Sequence, residues 1–163
     1  MSNRSSKATG SLRPGPSTDG RRALVLYVED DDLNWEVAQY RLGKTYELLR
    51  ACTAEQACAI VRAQCGELDA ILMDIELRGS DLNGVELTEL MRGNTKLSQG
   101  DLPGYARNLP YFSKPVVYVT AHGASYTRVH LMLTGAERVI EKPINFTELR
   151  ATLAQIMPGR SHD

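Results

Sequence analysis

Five short apolar runs alternate along this chain with five segments that have helical spacing. The predicted strands are residues 23–28, 46–49, 70–73, 116–119 and 138–141. The clearest of them, ALVLYV and AILM, show no alternation of apolar and polar positions, which indicates strands covered on both faces. Because such strands alternate with helices, the pattern predicts a doubly wound α/β domain with a parallel sheet.

Capping residues mark where most of the predicted helices begin. A Thr or Asn followed three residues later by Glu or Gln satisfies free amides of a first helical turn. These pairs are Thr53 with Gln56, Asn83 with Glu86, and Asn145 with Glu148. The first helix is predicted by a different signal, because Leu33, Val37 and Tyr40 recur at helical spacing before Gly43. The remaining helix is predicted over residues 126–133.

Three segments fall outside this alternation. Residues 1–21 are rich in Ser, Gly, Pro and Arg, so we predict a disordered tail there, a domain over 22–158, and a short second tail at 159–163. Residues 94–114 form an unusually long connection before the fourth strand. This insertion is either a partner-binding loop or a solvent-exposed elaboration without a role, since loops tolerate added length.

The composition argues against nucleic acid or a membrane as a partner. The 19 Lys and Arg residues are balanced by 20 Asp and Glu residues, so the chain lacks the positive potential that attracts nucleic acid. No apolar run is long enough to cross a bilayer, and the amino terminus lacks the apolar stretch of a signal peptide. We therefore expect a cytoplasmic protein. Cys52, Cys58 and Cys65 lack metal-site spacing and are predicted to be reduced, mostly buried thiols.

Reactive side chains follow the predicted strands at the end where open parallel sheets bind ligands. They are Glu29 and Asp30 after the first strand, Asp74 after the third, Thr120 at the fourth and Lys142 at the fifth. Two carboxylates about 4 Å apart repel by roughly 4 kcal/mol at an effective dielectric constant near 20. A magnesium ion would relieve this repulsion. Asp74 could then attack phosphorus, while Thr120 and Lys142 contact the phosphoryl oxygens.

The strings around these residues resemble the bacterial two-component response-regulator receiver domains, of the type found in chemotaxis regulators. LVLYVEDD resembles the family's first strand and acidic pair, and LDAILMDIEL its third strand and phosphoacceptor. VYVTAH resembles the strand with the switch threonine, and VIEKP the lysine–proline turn. The resemblance covers residues 23–157. It implies a flavodoxin-like fold with five parallel strands in the order 2-1-3-4-5 and five helices.

The resemblance also implies roles for individual residues. Asp74 would be the phosphorylated residue and a magnesium ligand. Asp30 would bind the ion directly, Glu29 through water, and Glu76 through its backbone carbonyl. The phosphoryl group would come from a histidine kinase or a histidine phosphotransfer protein, and the phosphorylated form would bind a downstream protein target that the sequence does not identify.

Four neighbouring positions complete the candidate site. Ala121 and Pro143 adjoin the threonine and the lysine, while His122 borders the phosphoryl group and is a candidate for tuning its hydrolysis. Val139 stands where many members of the family carry an aromatic residue that moves inward when the threonine contacts phosphate. Because valine has no ring, we expect the output to run through the fourth helix, its preceding loop or the insertion.

Three functions remain open on the sequence alone. The favoured one is a phosphoacceptor module that is not a conventional enzyme and acts as a stand-alone regulator, a relay intermediate or a fragment of a longer protein. The second is a receiver scaffold that works by docking without phosphorylation, an alternative motivated by Val139 and the insertion. The third is a magnesium-dependent phosphatase, in which Glu76 would have to serve as general acid without the flanking residues expected for that role.

Overall fold

The computed structural model describes residues 20–121 and 125–157. The strands are β1 (Leu24–Val28), β2 (Glu47–Ala51), β3 (Ala70–Asp74), β4 (Val116–Ala121) and β5 (Arg138–Lys142). The α-helices are α1 (Asp32–Leu42), α2 (Ala54–Gln64), α3 (Gly84–Met91), α4 (Arg128–Leu133) and α5 (Phe146–Ile156), and Gly104–Ala106 forms a 3-10 turn. The predicted tails 1–21 and 159–163 lie almost wholly outside the described residues.

The five strands form one sheet in which all neighbours are parallel and the order is β2-β1-β3-β4-β5. This confirms the predicted fold and strand order. The register sets where the reactive residues lie along the strands. Because Val28 pairs with Met73, the next residues, Glu29 after β1 and Asp74 at the end of β3, lie side by side. At the other edge, Ala121 pairs with Lys142.

The core has one layer on each face of the sheet. Alternate residues of β1 enter different layers, because successive side chains of a strand point to opposite faces. Leu24, Leu26 and Val28 pack with α2, α3 and the segment before β4. Val25 and Tyr27 pack with α1 and α5.

The capping predictions describe the helix starts well. Thr53, Asn83 and Asn145 each cap a helix by accepting a hydrogen bond from a first-turn amide. At α3 the box is reciprocal, since Glu86 also accepts from the Asn83 amide. At α2 it is not: Gln56 accepts from the amide of Cys52 at 2.7 Å.

Helix α1 is present, but the apolar spacing that predicts it does not identify its buried side. Leu33 is 67% exposed and Tyr40 81% exposed, whereas Ala38 and Leu42 are fully buried. The helix thus packs on the core through Ala38, Leu42 and the partly buried Trp35, while Leu33, Val37 and Tyr40 form an outward stripe. The expectation of mostly buried thiols is also wrong in part: Cys58 is buried, while Cys52 and Cys65 are partly exposed.

The insertion 94–114 is packed against the domain. Its side chains Leu102, Ala106 and Phe112 are buried in the same layer as α2 and α3. The Arg62 guanidinium on α2 donates to the carbonyls of Tyr105 (3.1 Å) and Arg107 (2.8 Å). A solvent-exposed elaboration is therefore the wrong description of residues 102–112, which contribute to the core, whereas residues 96–101 are exposed. No helix among the described residues is long and apolar enough to cross a membrane.

Candidate functional site

A small polar cavity of about 160 Å³ lies at the carboxyl end of the sheet. It exists because the parallel strands end together there and the loops that follow diverge to either face. Its lining residues are Glu29, Asp30, Asp31, Asn34, Asp74, Glu76, Arg78, Ala121 and Lys142. The structure thus brings Glu29 and Asp30 from the loop after β1, Asp74 from the end of β3 and Lys142 from the end of β5 to one place.

Lys142 joins the two buried carboxylates. Its ammonium donates to Glu29 Oε2 at 2.8 Å and to Asp74 Oδ2 at 2.9 Å. Although burial alone lowers the pKa of Lys142, these two hydrogen bonds and the charges of both carboxylates raise it above its ordinary value. The lysine therefore remains charged and is placed to contact a group that binds beside Asp74.

Glu29 is fully buried but surrounded by donors. Its Oε1 accepts from the Asp31 amide at 3.0 Å, and its Oε2 accepts from the Tyr27 hydroxyl at 2.9 Å as well as from Lys142. Burial raises the pKa of Glu29, but the hydrogen bonds from Lys142, the Asp31 amide and Tyr27 outweigh it and leave that pKa below its ordinary value. Glu29 is therefore a carboxylate at neutral pH.

Asp74 differs from Glu29 in its balance of burial and hydrogen bonding. Its Oδ1 accepts only a longer bond, 3.3 Å, from the Glu76 amide, while Lys142 contacts Oδ2. Burial and the nearby charge of Glu29 raise the pKa of Asp74 to about 6 despite the lysine. A bound cation would favour its ionised form.

Asp30 is paired with a cation of its own. Its Oδ2 accepts from the Arg78 backbone amide at 3.2 Å and lies 3.3 Å from Arg78 Nε. The Arg78 side chain is 83% exposed, so the ion pair is solvated and weak. Another cation can therefore replace Arg78 beside Asp30 at a small cost in free energy.

The donor set fits magnesium. Carboxylate oxygens of Glu29, Asp30 and Asp74 lie within 4.8 Å of one another. These are hard oxygen ligands, and Mg²⁺ commonly binds to one or two carboxylates together with water and phosphate. Lys142 balances part of the negative charge of the three carboxylates and the solvated Arg78 another part, which leaves the cluster suited to a divalent cation.

The other predicted site residues lie at different distances from the cavity. Ala121 lines it, whereas the hydroxyl of the buried Thr120 donates weakly to the Ala121 carbonyl at 3.4 Å. Val139 is buried in the α2–α3 layer of the core. Pro143 follows Lys142 through a cis peptide bond. His122 lies outside the described residues.

Glu76 also lies at the cavity. Glu76 is exposed and lines the cavity, and its backbone amide donates a hydrogen bond to Asp74. The predicted role of its backbone carbonyl as a metal ligand stays a prediction.

Four residues outside the predicted set also hold these acids. Tyr27 and Asn34 donate to Glu29, Arg78 pairs with Asp30, and Arg50 donates to the backbone carbonyls of both. One signal in the sequence is a hydroxyl in an otherwise aliphatic strand, two residues before Glu29 and so on the same face. The contacts of Arg50 depend on the register of β2 against β1, which the predicted strand order does not specify.

No family model matches this chain. Over 126 residues, which is 77% of the chain, it is 32% identical to the nitrogen assimilation regulatory protein NtrX of Azorhizobium caulinodans, of which it spans 24%. Over 147 residues, or 88% of the chain, it is 26% identical to the signal transduction histidine-protein kinase BarA of Escherichia coli, of which it spans 14%. The chain thus spans a quarter or less of these curated relatives.

Solved structures of other proteins share the fold described above. A response regulator from Chloroflexus aurantiacus superposes with a TM-score of 0.63 and 25% sequence identity, over 84% of this chain and 98% of that one. The signal receiver domain of a LuxO repressor protein from Vibrio parahaemolyticus superposes with a TM-score of 0.65 at 24% identity, over 84% and 91% of the two chains. The alignment spans nearly the whole of each of these neighbours.

Proposed function

The chain belongs to the receiver domains of bacterial two-component response regulators, and on that basis we propose that Asp74 accepts a phosphoryl group. The single observation that carries the proposal is the meeting of Asp74 with Glu29, Asp30 and Lys142 in one cavity. The donor would be a histidine kinase or a histidine phosphotransfer protein. The downstream partner would be a protein that binds the phosphorylated form.

The chemistry follows from the contacts of Asp74. A carboxylate oxygen of Asp74 attacks phosphorus, an O–P bond forms, and the N–P bond of the donor phosphohistidine breaks so that its electron pair stays on the imidazole. Glu29, Asp30 and Asp74 would hold Mg²⁺, which when bound neutralises charge on the phosphoryl oxygens. Lys142 then exchanges its contact with Asp74 Oδ2 for a phosphoryl oxygen, a charge-assisted hydrogen bond.

Thr120 is the proposed second donor to the phosphoryl group. Its hydroxyl makes only a 3.4 Å bond to the next carbonyl, so little is lost when it turns towards a new acceptor. Ala121, beside it, is small and lines the cavity, which leaves room for the phosphoryl oxygens.

Incubation with phosphoramidate and Mg²⁺, followed by intact-protein mass spectrometry, tests the proposal. We expect the wild-type protein to gain one phosphoryl group, the gain to disappear when EDTA removes Mg²⁺, and the Asp74→Asn variant to gain none. The matched control is Asp81→Asn, because Asp81 lies in the same β3–α3 connection but does not line the cavity.

The other outcomes separate the remaining functions. A gain that persists in Asp74→Asn would contradict the assignment of the acceptor. A wild-type protein that binds Mg²⁺ but gains no phosphoryl group would favour a scaffold that acts by docking. Catalytic turnover of varied phosphate esters would favour a phosphatase.

A further inference from the structure

We propose that Arg50 is a positioning residue for the two acids that follow β1, an inference that rests on the proposed magnesium site. Arg50 lies in β2, where it pairs in register with Tyr27 of β1. From there its Nε donates to the Glu29 carbonyl at 3.2 Å and its Nη2 to the Asp30 carbonyl at 3.3 Å. One planar group thus holds two consecutive carbonyls, which fixes the peptide between Glu29 and Asp30.

The guanidinium is itself held by the helix that follows these acids. Its Nη2 lies 2.8 Å from Asp32 Oδ1, and its carbon lies 5.8 Å from the centroid of the Trp35 ring. Both partners belong to α1. Arg50 therefore links three pieces of the chain: the end of β2, the acidic loop and the first turn of α1.

The choice of contacts distinguishes positioning from charge balance. An arginine that served only to offset negative charge would pair with the carboxylates of Glu29 or Asp30. The side chain of Arg50 contacts their backbone carbonyls instead, and its charge is directed at Asp32. Since residues that orient metal ligands affect metal affinity strongly, the fork of Arg50 should set how well the two acids hold the ion.

Magnesium titration by calorimetry, without any phosphoryl donor, tests this role. Arg50→Lys keeps the charge but cannot hold two carbonyls in one plane, and Arg50→Gln removes the charge. We expect both variants to bind Mg²⁺ about tenfold more weakly than the wild type. If Arg50 acted through its charge alone, Arg50→Gln would bind the divalent cation more tightly, so the sign of that change decides between the two roles.

Arg62→Lys is the matched control. Arg62 also donates to two backbone carbonyls, at 3.1 and 2.8 Å, but those belong to the insertion, away from the acids. The affinity of the Arg62→Lys variant for Mg²⁺ should stay within about twofold of that of the wild type. Unfolding midpoints measured alongside show whether the fold is disturbed equally in the Arg50 and Arg62 variants.

A second pair of variants covers the case in which the Arg50 substitutions unfold the domain. Asp32 is 87% exposed, so Asp32→Asn should fold while releasing one side of the guanidinium. Its affinity for Mg²⁺ should fall about threefold below that of Glu36→Gln, which removes one exposed charge from the same helix without touching Arg50. Equal affinities in this pair, or an Arg50→Lys protein that matches Arg62→Lys, would overturn the proposal.

Failure of the proposed function gives a different result. A wild-type protein that takes up no Mg²⁺ at millimolar concentrations would remove the metal site and the role of Arg50 together. A wild-type protein that binds Mg²⁺, beside an unchanged Arg50→Lys variant, would remove only the role of Arg50.

Discussion

The cavity at the carboxyl end of the sheet and the insertion 94–114 are built on opposite principles. The cavity buries charge: Glu29 and Asp74 are almost completely covered, and one ammonium serves both. The insertion buries apolar surface, including the ring of Phe112. Its backbone carbonyls accept hydrogen bonds from the guanidinium groups of Arg62 on α2 and Arg92 just after α3. Buried charge costs free energy unless it is fully paired, whereas buried apolar area stabilises the fold.

The difference indicates that chemistry and stability reside in separate parts of this domain. Burial raises the pKa of Asp74 to about 6, so ionising this carboxyl costs more free energy in the metal-free cavity than in water. The cavity thus opposes the ionisation that the nucleophile needs, and a bound cation would remove that opposition. The insertion carries no such conflict, so substitutions there should change stability and leave the phosphoryl chemistry alone.

The largest effect is expected from Phe112→Ala. The ring is 1% exposed, and its removal leaves a cavity in the α2–α3 layer. We expect the free energy of unfolding to fall by about 3–5 kcal/mol, measured by urea denaturation, while phosphorylation per folded molecule stays unchanged. Tyr111→Ala, at a neighbouring residue that is 64% exposed, should cost about 0.5 kcal/mol or less. Equal losses in the two variants would contradict a packed insertion.

A smaller effect on the free energy of unfolding is expected when the wild type is compared with Asp74→Asn without Mg²⁺. Here the buried group is a charge that destabilises the fold. Because burial raises the pKa of Asp74 to about 6, between pH 4 and 6 the folded protein binds more protons at this site than the unfolded chain. Stability from this group is therefore lost as the pH rises through that interval. Relative to Asp74→Asn, the wild type should lose about 1–3 kcal/mol between pH 4 and 7.

Urea denaturation in EDTA at several pH values measures this difference. Comparison with Asp74→Asn removes most of the contribution of the other acids, including Glu29, whose lowered pKa acts in the opposite direction. A difference that stays flat, or that grows in favour of the wild type with rising pH, would show that Asp74 is not destabilised when ionised. The contrast between cavity and insertion would then disappear.

Some of these features could be predicted from the sequence because they depend on local physics. Apolar runs and helix caps depend on residues that are near one another in the sequence, so the strands and helix starts could be predicted. The carboxyl ends of parallel strands lie at one edge of the sheet, so Asp74 and Lys142 could be placed together. The contacts of Arg50 could not, because they depend on the register between β1 and β2, which a strand order leaves open. Nor could the burial of Phe112, since no periodic spacing accompanies it in a segment of mixed turns.

The smallest effect is expected from Leu33→Ala, because Leu33 belongs to the outward stripe of α1. Leu33 is 67% exposed and Leu42 is fully buried on the same helix, which makes them a matched pair. Leu33→Ala should change the free energy of unfolding by about 0.5 kcal/mol or less, whereas Leu42→Ala should cost about 2–5 kcal/mol. If denaturation gave equal losses in the two variants, apolar residues would stabilise this domain regardless of exposure. The buried side chains of the insertion would then contribute no more stability than exposed ones. If Leu42→Ala costs much more than Leu33→Ala, burial decides how much an apolar side chain stabilises this domain. The buried side chains of the insertion then stabilise the fold, and the exposed stripe of α1 does not.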